Sequence, residues 1–186
     1  QYTSGEMMRT KNFYLLLATM FFGLTSYFMV SPVSQTYQID LGIPSAVAVS
    51  AVMLGSIVNA GARLVLPTLA DKVGRIVCIK GVLIVAVIAM GVLFSSRSLA
   101  VTVAVVLMYG CYGGIMGSFP SLTSSIFGMK HTGENYGFVM FGIVFATFGA
   151  PAISGLVSSN GYELNAQVGI PAKLSDTGVT DEYFAQ

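Results

Sequence analysis

The chain has 186 residues, of which 54% are hydrophobic and only 9% charged, with a net charge of +1 and a mean hydropathy of +0.77. Soluble domains carry roughly 25% charged residues. A water-soluble fold of this length could not cover its surface, so lipid is the solvent.

The first dozen residues read as a short helix lying at the membrane interface. Thr3 and Glu6 have capping-box spacing, and Met7, Met8 and Phe13 are placed to rest against the membrane surface. No charged n-region with a short apolar core and cleavage site precedes the first span, so no signal peptide is read. The chain does not begin with Met, which suggests a fragment or a processed product.

Five apolar stretches follow: "FYLLLATMFFGLTSYFMV" from Phe13, "AVAVSAVMLGSIVNAGARLVL" from Ala46, "IVCIKGVLIVAVIAMGVLF" from Ile76, "LAVTVAVVLMYGCYGGIMGSF" from Leu99 and "YGFVMFGIVFATFGAPAISGLV" from Tyr136. Each is close to the ~20 residues that cross a hydrocarbon core as a helix, and none alternates as a barrel strand does. The fold class is all-α, a polytopic transmembrane helix bundle of five spans over residues 13–157. It is an integral, multi-pass protein of a membrane the sequence does not name.

Taken in order, the first span should stop near Pro32, leaving "SQTYQIDLGIPS" as a loop. The second should end at about Pro67, with "LADKVGR" forming a turn that Gly74 tightens and in which Asp71 and Arg75 can pair with each other or with helix ends. The short "SSRS" makes the third and fourth spans antiparallel neighbours. The fourth carries Gly110, Gly113, Gly114 and Gly117, which permit close backbone approach, and Pro120 should kink or end it. The fifth repeats small residues at Gly142, Ala146 and Ala150 before Pro151. From 158 to 186 the chain is a polar extramembrane tail.

Lysines and arginines orient the bundle. Arg9, Lys11, Lys72, Arg75, Lys80 and Lys130 fall on one side, Arg97 and Lys173 on the other. The N-terminus and the second-to-third and fourth-to-fifth loops are therefore expected to be cytoplasmic, and residues 1–12 to be a cytoplasmic interfacial segment. Cys78 and Cys111 lie inside spans and are expected to be small packing residues.

Chemistry concentrates on the second span. Gly55, Asn59 and Arg63 repeat every four residues and form one polar stripe. Arg63 lies well before Asp71, ~12 Å deeper at ~1.5 Å per residue, where an ionisable group is costly. Such an arginine faces a cavity, snorkels to the interface, or pairs with a carboxylate from elsewhere. Tyr109, Tyr112 and Met116 in the fourth span, the last two on one face, and Tyr27 in the first are either packing residues or a cavity lining. Asp40, Asp71, Glu134 and Glu163 all flank the spans, so no carboxylate is placed to carry a proton inside the bundle. His131 reads as a solvated loop residue. An enzyme is not expected, for want of a nucleophile–base pair, phosphate loop or metal cluster; no catalytic residue, metal or cofactor is assigned, nor a nucleic-acid partner.

The stretch "LADKVGR" resembles the D-x-x-G-R loop motif of the major facilitator superfamily. With "SGEMMRTKNFYLL", "NAGARLVLPTLADKVGR" and "GSFPSLTSSIFGMKHTGENYGFVMFGIVFATFGAP", the chain from residue 1 to about 158 is similar to the C-terminal half of oxalate/formate antiporters, relatives of monocarboxylate transporters. The resemblance implies that the five spans are transmembrane helices 7 to 11 and that the tail replaces or precedes helix 12. It also implies an absent N-terminal half and transport of a small organic anion by alternating access. It makes Arg63 the anion-binding cation, beside Asn59, with Tyr27, Tyr109, Tyr112 and Met116 lining the cavity. The family's second cation, a lysine, falls at Ile143, so a monocarboxylate is favoured over oxalate. The resemblance assigns Asp71, Lys72, Gly74 and Arg75 to a gate, with Glu134 at the helix end that receives the matching acid of the other half. Partners are then the anion, the lipid bilayer, and the N-terminal half or other membrane subunits. A rival reading makes the chain a truncated or repurposed half, serving as a structural accessory subunit.

Overall fold

The computed structural model describes residues 1–96 and 98–158. These fold as α1 (Ser4–Met7), α2 (Lys11–Val30), a 3₁₀ turn (Ser31–Val33), α3 (Ser34–Asp40), α4 (Ser45–Val73), α5 (Arg75–Ser95), α6 (Ala100–Phe127), α7 (Thr132–Val139) and α8 (Phe141–Ser158). Five runs are long and apolar enough to cross a membrane: Lys11–Asp40, Ser45–Val73, Arg75–Ser95, Ala100–Phe127 and Thr132–Ser154. The polar tail expected over 158–186, like Arg97 and Lys173, lies outside the described residues.

Helix α6 is the centre of the bundle. It packs against α2, α4, α5 and α7, and Met108, Ile115, Phe119 and Phe127 are fully or almost fully buried on it. Apolar burial alone drives little association in lipid, so close van der Waals packing must hold the helices. The α4–α6 seam shows how. The pairs Gly55–Tyr109, Asn59–Gly113 and Arg63–Gly117 advance together along two parallel helices. A Cβ added at Gly113 would collide with the Asn59 carbonyl, and one at Gly117 would stand 2.6 Å from the Arg63 carbonyl oxygen. Gly114 likewise accommodates Leu66. On the other flank α2 packs on α8, where Gly142 faces the Leu17 carbonyl and Ala146 and Ala150 are fully buried.

Several expectations about helix ends are corrected. Helix α4 does not stop at Pro67 but runs to Val73, so the turn into α5 is Gly74 alone, at φ +107. Proline removes the hydrogen bond to the carbonyl four residues earlier, which is that of Arg63. Gly117 brings bare backbone against that carbonyl, so the neighbouring helix stabilises what the proline leaves open. Pro120, expected to kink or end its span, lies inside α6 and does not end it. The segment after Pro32 is not a loop: the proline sits in the first turn of the 3₁₀ element, where its missing N–H is harmless, and α3 continues from Ser34. The fifth span, expected as one helix, breaks at Met140 into α7 and α8.

The N-terminal segment has its capping box, with the Thr3 N–H donating to Glu6 Oε2 at 2.9 Å. That bond holds the Glu6 carboxyl below its ordinary pKa. Two of its apolar side chains, however, turn inward and not to the membrane surface, Met7 at 0% and Phe13 at 6% exposed, while Met8 stays exposed as expected. The Tyr2 N–H donates to the Phe127 carbonyl at 2.9 Å, and the Asn135 amide to the Tyr2 carbonyl at 3.1 Å. The segment is thereby strapped across the junction of α6 and α7, which buries Met7. Cys78 and Cys111 are free and buried, as expected of packing residues.

If the glycine seam sets the α4–α6 distance, Gly113→Val should lower stability by roughly 1–3 kcal/mol, the usual cost of overpacking. Gly61→Ala, whose added Cβ meets nothing within 4 Å, should be neutral or slightly stabilising. Thermal unfolding in detergent micelles compares the two, and equal midpoints would refute the seam.

Candidate functional site

The polar stripe of α4 lies along the seam. Arg63 Nε donates to Asn59 Oδ1 at 3.2 Å. Asn59 is one turn closer to the helix N-terminus, the direction in which helical side chains lean. The guanidinium therefore points away from the helix end at Val73 and along the span. That direction is opposite to snorkelling toward the nearer end. Ion pairs among the described residues join Arg75 to Asp71 and His131 to Glu134; neither involves Arg63. Its Nη groups have no hydrogen bond among the described residues.

Rings from α2 and α6 lie beneath it. Arg63 Cζ stands 5.7 Å from the Tyr112 ring centre, within cation–π range. Tyr27 stacks on Tyr112 at 4.1 Å and 15°, and Tyr109 meets Tyr27 edge-on at 5.2 Å. The Tyr109 hydroxyl is 3.3 Å from Ser31 Oγ, and Gly55 leaves room for the Tyr109 ring. Arg63, Asn59, Tyr27, Tyr109 and Tyr112 thus form one cluster. Met116 and Ile143 are half-buried against the apolar core and make none of these contacts.

Sequence reasoning missed Tyr136. It is half-buried on α7 and packs against the apolar core. The one signal in the sequence was an aromatic residue near the start of the fifth apolar run.

The arrangement places one cation over a neutral amide and aromatic rings. A cation in a low-dielectric span acts strongly on charge, its fork-shaped Nη edge suits a carboxylate, and the aromatic faces beneath are neutral. Among the described residues there is no cluster of potential metal ligands.

At the end of the bundle that bears the α4–α5 turn, Arg75 holds two elements. Its Nη2 lies 3.1 Å from Asp71 Oδ1, and its Nη1 donates to the Ser121 carbonyl at 3.0 Å, one residue beyond Pro120. Lys72 is exposed in the last turn of α4, where a cation complements the helix dipole. Glu134, in the first turn of α7, accepts from Ser4 Oγ at 3.3 Å and lies 3.7 Å from His131. His131 is therefore half-buried beside an acid and not freely solvated.

The open volumes lie elsewhere. A groove of about 460 Å³ between α4, α5 and α6 is lined by residues such as Ala62, Leu66, Val77 and Cys111. Another of about 620 Å³ lies near the 3₁₀ turn, α3 and the end of α5. Neither contains Arg63, and both are almost wholly apolar. We place the candidate site where polar groups converge.

Residues 3–155 match the family described as Major Facilitator Superfamily. The chain is similar to an uncharacterized MFS-type transporter, YhjX, of Escherichia coli K12, at 32% identity over 145 residues, 76% of this chain and 36% of the relative. It is also similar to the oxalate:formate antiporter of Oxalobacter formigenes, at 27% over 140 residues, 74% of this chain and 34% of the relative. The chain spans about a third of the length of these curated relatives.

The Arg75 contacts make a separable prediction. Arg75→Ala should cost roughly 1–3 kcal/mol, in the range for hydrogen bonds to a charged group. Arg75→Lys keeps charge near Asp71 but lacks the fork that reaches Asp71 and Ser121 together. It should recover only part of that loss. Full recovery by lysine in thermal unfolding would show that the bond to Ser121 contributes nothing.

Proposed function

Because the chain belongs to the major facilitator superfamily, we propose that it supplies the C-terminal half of a transporter that moves a small organic anion by alternating access. It is a multi-pass integral membrane protein of a transporter family and not an enzyme. In this reading α2 to α8 provide transmembrane helices 7 to 11. Residues 13–157 are the membrane half, residues 1–12 a cytoplasmic strap and residues 158–186 an extramembrane tail. The substrate lies near mid-membrane, between this half and a second one.

The observation that carries the proposal is the aim of Arg63. A guanidinium directed along the span, with its Nη groups unpaired among the described residues and an aromatic ring below, is costly in a membrane and serves an anion. The similarity to an oxalate:formate antiporter supports a carboxylate as that anion. Ile143 narrows the class. A dianion facing Arg63 alone keeps an uncompensated charge in a low-dielectric cavity, whereas a monocarboxylate is balanced. Asp71, Lys72, Gly74 and Arg75 form the gate on the cytoplasmic side, where Asp71 meets a helix N-terminus of the other half. Glu134 and Asn135, at the start of α7, receive the matching acid.

In the complete transporter, Arg63→Ala should lower carboxylate uptake roughly 100-fold, as about 3 kcal/mol of charge-assisted bonding is lost. Arg63→Lys should restore little, because lysine lacks the fork. Normal uptake by the alanine variant would remove Arg63 from the site. Formate or acetate should compete for uptake better than oxalate, and Ile143→Lys should reverse that order. Stronger inhibition by oxalate in the unmodified protein would overturn the monocarboxylate assignment.

The gate yields a milder effect. A helix dipole favours an anion by roughly 0.3–1 kcal/mol, so Asp71→Asn should shift the inward-to-outward ratio only a few-fold. Cysteine accessibility from each side of the membrane reads that ratio. No change would assign Asp71 to holding Arg75 alone.

A further inference from the structure

We infer that Asn59, held in place by Gly113, is the positioning residue that aims Arg63, so that the anion site is set by the α4–α6 seam and not by the arginine alone. The inference rests on the reading of Arg63 as the anion-binding group.

The geometry begins with what Arg63 lacks. A long cationic side chain without a partner relaxes toward water. This one is turned the other way by a single bond from Nε to Asn59 Oδ1, at 3.2 Å. Nε is a donor only, so the amide must present its oxygen to Arg63 and its orientation is settled. Using Nε as the tether leaves the Nη1–Nη2 edge for a ligand, the edge that matches a carboxylate. The Asn59 Nδ2 group has no hydrogen bond among the described residues.

The tether is itself anchored. A Cβ at Gly113 would fall 2.7 Å from Asn59 Oδ1 and would overlap the Asn59 backbone carbonyl. The amide oxygen therefore lies against a bare Cα, in space that exists only because residue 113 has no side chain. One residue earlier, Tyr112 supports the guanidinium from below. Adjacent residues of α6 thus fix the arginine by two routes, Gly113 through Asn59 and Tyr112 through its ring. A methyl group at 113 would displace the amide oxygen and misdirect Arg63 without removing any charge.

The test uses the complete transporter and the kinetics of formate uptake. Asn59→Ala should raise KM about tenfold, the size of coupling common between contacting residues, with little change in maximal rate. Asn59→Asp, isosteric and so a control for folding, should be worse, because its carboxylate occupies Arg63 in competition with the substrate. Gly113→Ala should raise KM in the same sense. The decisive comparison is a double-mutant cycle. Lysine has no Nε, so adding Asn59→Ala to Arg63→Lys should leave KM where Arg63→Lys alone put it. A purely structural role would multiply the two losses. Loss of uptake in Arg63→Ala, together with normal KM in Asn59→Ala or independent losses in the cycle, overturns the positioning role alone. Normal uptake in Arg63→Ala overturns the underlying site.

Discussion

The bundle depends on how closely α4 can approach α6. In lipid, apolar side chains gain little from leaving one hydrocarbon surface for another, so association rests on contact distance. Gly113 and Gly117 let the backbone of α6 lie directly against the carbonyls of Asn59 and Arg63. Two consequences follow from that one approach. Helix α4 passes through Pro67 without ending, and the Arg63 carbonyl that proline leaves without its usual donor lies against α6. The polar stripe of α4 is also fixed in register with Tyr109 and Tyr112. Packing and site share the same residues.

This sharing explains how a membrane span tolerates an arginine. A bare charge at mid-span is expensive, and no carboxylate among the described residues offsets it. Instead a neutral amide accepts from Nε and an aromatic face lies below, contributions of about 1 kcal/mol each. They direct the charge without neutralising it. A carboxylate partner would have been more stabilising, but it would have neutralised the charge. The Arg75–Asp71 pair, at the end of the same helix, shows the contrasting solution, in which charge is neutralised and used to hold elements together.

Much of this was legible in residue order. Apolar run length gave the five spans, the four-residue spacing of Gly55, Asn59 and Arg63 gave the stripe, and Thr3 with Glu6 gave the capping box. Local patterns of this kind need no knowledge of neighbours. The failures share a cause in tertiary contact. Pro67 read as a helix end because the local rule has no access to an adjacent helix that covers the carbonyl it leaves open. Met7 read as a membrane contact because nothing in the first residues reveals the strap to Phe127 and Asn135. The break at Met140 has neither proline nor glycine at it to announce it.

The central claim is that one directed guanidinium receives a carboxylate in the membrane. Its most direct test is a crystal structure of the complete transporter soaked with bromoacetate, located by the anomalous scattering of bromine. The account predicts a bromine peak within about 6 Å of the Arg63 Nη atoms, with the carboxylate in bidentate contact as Arg–carboxylate pairs prefer. A fully occupied peak elsewhere in the bundle, with Arg63 still bound only to Asn59, would contradict it.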